Sequence, residues 1–488
     1  MSVPRTLVVG SGAGGLTLAL LLAKAGRQVV LIEKQTETGG YLRRFTRRGI
    51  RLDSGYHFSG GFNGIMTQML QVLGIAEGIR SCPIPNRIVL DETGEEVLLP
   101  AGCGHAGAEE IFCSHFPNES AGLRTLFGAV REIWTTKQMS DLYDFTPLEL
   151  TFNRYDLMTV RDFCGNLGLS RAAETAAGSF ATCHGTPLSQ APMSFHARVG
   201  FTLYDDLSRT EHGGDPMLAA FRKELEKYGV EIHTGTELLP FAETDSDGEC
   251  REARFTDGSV LPVDQVYFTI HPRSVLPLLP VRAQTPSFLR RVKRLRESTS
   301  FFCSYYLVDE GVEVPSGLIS YFSRNDLDRI LEGDGYSTGY LIGREGASGG
   351  PRTTVAAFRT MPCGDARFDR PHSERLHDAA YQEFKQHTSE EIASDLTACY
   401  PQLKGHLSLL ESGSPLTCRD YGPPTGSAYG VRCICGQSRL CGQLPVGNFF
   451  IAGQSALVPG VLGTMLTSFT VFRLAAGEAT YRRVIENV

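Results

Sequence analysis

One tryptophan, Trp134, stands in a chain of 488 residues. No stretch reaches the roughly 18 uninterrupted apolar residues that a membrane-spanning helix needs, so the chain reads as one that does not cross a bilayer. Charge is balanced rather than strongly basic. Lys and Arg number 47 against 54 Asp and Glu, a net −7 that gives no general attraction to nucleic acid. Two cysteine–histidine groupings, Cys103-Gly-His105 with Cys113-Ser-His115 and Cys433-x-Cys435 with Cys441, match no familiar zinc spacing, and no metal is expected. The thirteen cysteines are scattered and odd in number, which points to free thiols in a reducing, cytoplasmic setting. A Ser-His-Asp set, a paired-carboxylate motif and a nucleophilic cysteine signature are all missing as well. What remains is a globular composition, 42% hydrophobic and 21% charged, long enough for two domains.

The most informative segment is Val8-Val9-Gly10-Ser11-Gly12-Ala13-Gly14-Gly15 with Leu31-Ile32-Glu33-Lys34. Thr6–Val9 is apolar and β-branched and predicts a strand. Gly10-x-Gly12-x-x-Gly15 then opens the apolar Leu16–Ala25, which predicts a helix closed by Gly26. Gln28–Ile32 predicts a second strand ending on an acid. Together these make a dinucleotide-binding βαβ unit. Gly10 permits the tight turn, Gly12 admits the pyrophosphate, and Gly15 lets helix and strand pack. The helix start offers N–H groups and positive dipole to phosphates, and Glu33 is placed to accept from ribose hydroxyls. Arg5–Ala25 has the basic start and apolar body of a signal peptide, but its glycines serve the nucleotide turn.

Nucleotide-binding character recurs downstream. Gly39-Gly40 precedes a basic stretch with Arg43, and Leu52-Asp53-Ser54-Gly55-Tyr56-His57-Phe58 follows. Gly213-Gly214 leads into a predicted helix Met217–Lys227 and a strand at 230–232. Asp264–Ile270 is an apolar strand halted by His271-Pro272. Asn448–Ala452 reads as a buried strand entering Gly453-Gln454, and Gly460–Gly477 as a helix. Asp245–Gly248 and Gly343–Gly350 read as exposed turns. Glu211-His212 reads as a solvated turn.

These blocks together resemble the phytoene desaturase-like flavoprotein superfamily, and within it the carotenoid isomerase and retinol saturase branch. The resemblance rests on Leu7–Gly61, on Gly185-Thr186-Pro187 with Ser194-Phe195-His196, on Gly213-Gly214, on Ser414–Thr417 and Gly426-Ser427-Ala428-Tyr429-Gly430, and on Phe450–Gln454 with Gly460 and Gly463. It implies an α/β fold in which a Rossmann-type, amine-oxidase-like FAD-binding domain (1–75, 211–272 and 411–488) is interleaved with a mixed α+β substrate domain (76–210 and 273–410). It implies FAD as the cofactor, held by Gly10, Gly12, Ala13, Gly14, Gly15, Glu33, Lys34, Gly39, Gly40, Arg43, Gly453, Gln454, Gly460, Val461 and Leu462. Two positions depart from many relatives. Tyr41-Leu42 separate the Gly-Gly pair from Arg43, and Gln454 stands where an Asp is common.

The family chemistry is redox work on carbon–carbon double bonds of a long apolar polyene or isoprenoid. Saturation by reduced flavin is preferred, with desaturation or redox-neutral isomerisation as alternatives and the electron donor or acceptor left open. The missing side-chain nucleophiles agree, because a flavin carries the difficult step. A second helix start near Pro459-Gly460 suits the charge gathered by a reduced flavin. The resemblance places Tyr56 and His57 beside the flavin, as candidates for proton transfer; His196 and Tyr305 are lesser ones. A GDP-dissociation-inhibitor-like lipid carrier shares the first glycine turn, but the intact Gly453-Gln454…Gly460 block argues against it. One tryptophan leaves little for the aromatic cage of an amine oxidase. Phe288-Leu-Arg-Arg-Val-Lys-Arg-Leu-Arg places Phe288, Val292 and Leu295 on one helical face with basic residues around it, a candidate peripheral membrane contact.

Overall fold

The structure, a computed structural model, describes residues 5–135, 141–143, 153–346, 350–364 and 366–486. At its centre is a six-stranded sheet in the order Gly442–Gln443, Phe449–Ile451, Gln265–Phe268, Arg5–Val9, Gln28–Glu33, Glu231–Thr234. All pairings are parallel except that of the edge strand Gly442–Gln443. Parallel strands covered on both faces should be apolar throughout, and Leu7, Val8, Val9, Leu31 and Ile32 are all buried.

The helix Ala13–Lys24 is apolar on every side and is buried from Ala13 to Ala23, as a helix without a polar face must be. It packs against Gly460–Ala476 and Asp215–Lys227 in one cluster with Leu18, Leu21, Leu22, Phe221, Met465 and Phe469. Each fully buried leucine there removes about 1.5–3 kcal/mol of apolar exposure.

The opposite face of the sheet is covered by Phe241, Phe255, Val275, Leu279, Val292 and Leu295. Residues 275–295, grouped by sequence with the second domain, therefore pack on the nucleotide sheet. This also corrects one part of the membrane reading of Phe288–Arg296, the lipid-facing role of its apolar stripe. Val292 and Leu295 are in the core and Phe288 packs against it, so the apolar face is taken by protein, while Arg290, Arg291, Lys293, Arg294 and Arg296 are exposed. Among the described residues no helix is long and apolar enough to cross a membrane.

The second sheet has seven strands in the order Leu407–Gly413, Ser300–Val308, Arg352–Met361, Ser337–Glu345, Gly317–Phe322, Asn86–Leu90, Glu95–Leu99. It is antiparallel apart from the pairing of Gly317–Phe322 with Asn86–Leu90. The helix Ala379–Cys399 covers one face through Tyr306, Tyr340, Val355 and Ile392. A helical layer packs on its far strands, with Ile88, Leu90, Leu318 and Phe322 meeting Phe112, Phe127 and Tyr204. Its remaining face turns toward the nucleotide domain, where Tyr305 and Leu410 meet Ile50 and Leu52 of the hairpin Arg44–Arg47/Ile50–Asp53.

Gly343 lies inside the strand Ser337–Glu345, which corrects the turn expected from Gly343; residues 347–349 of that turn lie outside the described set. The reason is tertiary: a side chain on Gly343 would meet the Arg209 guanidinium.

Candidate functional site

The first strand ends where Gly10, at φ +97°, turns the chain and donates its N–H to Ile32 O at 2.9 Å. Gly12 caps the helix with extended backbone and no side-chain cap, so the first N–H groups, those of Ala13, Gly14 and Gly15, have no intrahelical partner. A Cβ on Gly12 would meet nothing within 4 Å, whereas one on Gly15 would collide with Gly10 O. One glycine thus keeps space open and the other closes a packing contact.

Gly39 donates to Ser11 O at 2.9 Å, and a Cβ on Gly40 would come 3.0 Å from the Gly12 Cα, so the Gly-Gly pair lies across the same turn. Arg43 folds back to donate from Nε to Gly40 O at 3.3 Å. Glu33 is partly exposed at its strand end. Its Oε2 accepts from Ser11 N at 3.0 Å and Ser11 Oγ at 2.7 Å, and its Oε1 accepts from Gln35 N at 2.9 Å. Lys34 is exposed beside it. Tyr41, which displaces Arg43 from the pair, packs its ring against Gly55 and its buried hydroxyl against Gly422, without a hydrogen-bond partner.

The C-terminal block comes to the same place. Gly453 packs on the Thr269 backbone, Gln454 Nε2 donates to Ala428 O at 3.4 Å, and Ser468 Oγ donates to Gly14 O at 2.9 Å. The helix Gly460–Ala476 starts without a side-chain cap. Its first residues, Gly460, Val461 and Leu462, form the floor of a mainly apolar cleft walled by Phe58, Cys183, Val199, Tyr429 and Val458, with Arg198 and Thr202 at one side.

The two sequence-nominated proton carriers have different fates. Tyr56 is buried, and its hydroxyl is 2.8 Å from Thr210 Oγ1, away from the cleft lining. Burial pushes that phenol up to about 12. His57 stacks flat on Phe358 at 4.9 Å between centroids, and its Nδ1 is buried without a partner. Burial pushes its imidazole down to about 4; Asp53 opposes the shift and Arg209 adds to it. It is therefore neutral near pH 7. Tyr305 donates its hydroxyl to Asp53 O at 2.8 Å. His196 Nδ1 is 2.9 Å from His184 Nε2; His184 Nδ1 accepts from Thr186 N, so the shared proton sits on His184.

Below His57 is a buried four-charge cluster that the sequence did not announce. Asp53 pairs with Arg44 at 2.7 Å and with Arg209 at 3.0 Å, and both arginines also pair with Glu345. It joins the nucleotide-domain hairpin to the strand Ser208–Thr210 and the seven-stranded sheet. The Gly213-Gly214 pair belongs to this packing rather than to a nucleotide. A side chain on Gly213 would hit Asp53, and one on Gly214 would hit Leu42 O. Glu211 and His212 are exposed, as a solvated turn should be.

Residues 8–73 match the NAD(P)-binding Rossmann-like domain family. All-trans-retinol 13,14-reductase of Homo sapiens is 22% identical over 522 aligned positions, covering 95% of this chain and 84% of that protein. The chain fits the phytoene desaturase and retinol saturase-like family. Another relative in that family, 4,4'-diapolycopene oxygenase of Methylomonas sp, is 25% identical over 333 positions, 63% of each chain. Among solved structures, an oxidoreductase from Methanosarcina mazei superposes with a TM-score of 0.67 at 17% identity, covering 96% of this chain and all of that one, which shows the shared fold. The glycine turn and its uncapped helix start make a dinucleotide site of the NAD(P)-binding Rossmann-like kind.

Phe358, Phe301, Cys183 and the Arg44–Glu345–Arg209 partners of Asp53 escaped the sequence reading. Cys183 ends the short 3-10 helix Ser179–Cys183 and the others sit on strands, none with a motif of its own. The one available signal was the alternation Phe301, Cys303, Tyr305 along a strand, which marks one face of a sheet.

Proposed function

We propose that this protein is an FAD-dependent oxidoreductase that saturates a carbon–carbon double bond of a long apolar polyene or isoprenoid. The observation that carries the reading is similarity along 95% of the chain to a retinol 13,14-reductase. The apolar cleft meeting an uncapped helix start agrees with it. Segments 1–75, 211–272 and 411–488 are assigned to FAD and 76–210 and 273–410 to the substrate, with 275–295 serving as cover for the nucleotide sheet.

The free N–H groups at Ala13–Gly15, the open space at Gly12 and the Glu33 carboxylate suit the pyrophosphate and ribose of a dinucleotide. Gly453, Gln454 and the cleft residues Gly460–Leu462 are assigned to the flavin end of the cofactor. Bound there in its reduced form, FAD supplies the hydride. The chain's own work is to hold the polyene against Val199, Val458 and Phe58, to keep water out, and to provide a proton. His57, neutral and fixed on Phe358, sits next to that wall. The exposed basic side of Pro286–Lys293 is assigned to any contact with an anionic membrane surface, where such substrates dissolve.

The test is anaerobic incubation of dithionite-reduced holoprotein with all-trans-retinol and a poly-cis carotene, read by mass spectrometry and flavin absorbance. Product two mass units heavier with reoxidised flavin is expected. Unchanged mass with shifted retention would replace saturation by isomerisation, and a product two units lighter from oxidised enzyme would replace it by desaturation.

A further inference from the structure

We propose that Tyr429 delivers the proton that completes reduction of the double bond, an assignment resting on the saturase reading above. Tyr429 lines the same cleft as the helix start Gly460–Leu462, and it is the one tyrosine among the described residues in that lining.

Its position is fixed from several sides. The Tyr429 N–H donates to Ser298 Oγ at 3.0 Å. The ring meets Phe301 edge to face at 6.0 Å and 87°. Before it, Ala428 O accepts from Gln454; after it, Gly430 has no room for a side chain because Ser455 fills the space. A proton donor must be held this way, since a misplacement near 1 Å costs about two orders of magnitude in rate.

The chemistry of the hydroxyl agrees with the geometry. Its neighbour is the Cys183 thiol, which also lines the cleft. Sulfur is a weak acceptor, so the phenolic proton remains available to a stronger base. Burial, with Cys183 beside it, holds the phenol well above its ordinary range, which keeps it protonated at working pH.

The competing tyrosines and histidines lie outside that lining. Tyr56 is bonded to Thr210, Tyr305 to the Asp53 carbonyl, and the His184–His196 pair to itself. Tyr41 has its hydroxyl enclosed against Gly422. His57 is neutral and carries no imidazolium proton to give.

The step balances. One alkene carbon receives a hydride, with its two electrons, from the reduced flavin, which is left oxidised. The other carbon takes the Tyr429 proton. The O–H bond breaks, a C–H bond forms, and the electron pair stays on the phenolate oxygen until water, admitted once the product has left, reprotonates it and departs as hydroxide.

The experiment compares wild-type holoprotein with Tyr429→Phe. Flavin content and spectrum are measured first, then the Kd of all-trans-retinol for the oxidised enzyme, then anaerobic reoxidation of the dithionite-reduced flavin by the same polyene in H2O and D2O across pH. The variant is expected to keep its flavin and to hold the Kd within about twofold. It is expected to lose on the order of 100-fold or more in reoxidation rate. The wild-type rate should be slower in D2O than in H2O, a difference absent from the variant. Reoxidation of the variant at the wild-type rate would overturn the assignment, and so would loss of flavin or of polyene binding, which marks a structural role. Wild-type protein that no polyene reoxidises would instead remove the saturase reading, and the proposal with it.

Discussion

The imidazole of His57 lies on the ring of Phe358, with 4.9 Å between centroids and 11° between planes. On the neighbouring strand a side chain at Gly339 would occupy the space of that same ring. The ring is therefore clamped between a glycine and the histidine. Gly339→Ala should push Phe358 onto His57, at an overpacking cost of about 1–3 kcal/mol. Slower polyene-driven flavin reoxidation with flavin content retained is the expected outcome. Adding Phe358→Leu vacates the space and should recover part of the stability, a coupling that a double-mutant cycle in urea measures.

The Asp53–Arg44–Glu345–Arg209 cluster leads to a second expectation. Glu345 is 5% exposed and pairs with both arginines. Glu345→Gln leaves buried positive charge uncompensated and should destabilise the protein by about 3–5 kcal/mol. Glu411 pairs with Arg47 at 2.7 Å, on the surface, with Arg47 half exposed. Glu411→Gln should change stability by no more than about 1 kcal/mol. Urea midpoints of the two variants give the comparison.

Gly12 and Gly15 separate cofactor binding from folding. Gly12 has no atom within 4 Å of its would-be Cβ, so Gly12→Ala should fold normally and lose flavin, because the methyl group fills the approach to the phosphates. Gly15→Ala forces the helix away from the Gly10 carbonyl and should lower the thermal midpoint as well as flavin content. Flavin absorbance per protein and calorimetry on both variants check this.

Acid should weaken the fold through its buried histidines. Burial pushes His57 and His196 down to about 4, against an ordinary value near 6.5. Between pH 6.5 and 4 the unfolded chain binds more protons than the folded one, so stability falls as pH drops through that window. Above pH 6.5 the contribution is fully present, and each histidine accounts for about 3 kcal/mol of the loss. Urea midpoints at pH 7, 5.5 and 4.5 should decline, and His196→Asn should flatten the slope by one proton's worth.

The first βαβ unit was legible because its instructions are local. A β-branched run, a glycine turn, an apolar helix and a terminal acid each act within a few residues, and the strands Arg5–Val9 and Gln28–Glu33 fall where that pattern puts them. The same holds for the strand Phe449–Ile451 and the helix Gly460–Ala476. Partners were not legible. Tyr56 and His57 are neighbours in sequence, yet one hydroxyl is held by Thr210 and one imidazole by Phe358, residues 154 and 301 positions away. The apolar stripe of Phe288, Val292 and Leu295 has the pattern of a lipid-facing helix and of a core-facing one alike, and only the sheet beneath it chooses.

By itself, then, the sequence determined the dinucleotide turn, the strands and helices that flank it, and the absence of a long apolar span. Only the tertiary structure decided that Glu345 leaves an apparent turn to complete a buried charge cluster, that Gly213-Gly214 makes room for Asp53, and that Tyr429 rather than Tyr56 faces the cleft. Turn and helix chemistry is written in neighbouring residues. The pairing of a buried charge or the aim of a phenol depends on which distant strand arrives beside it, and nothing in a single segment encodes that arrival.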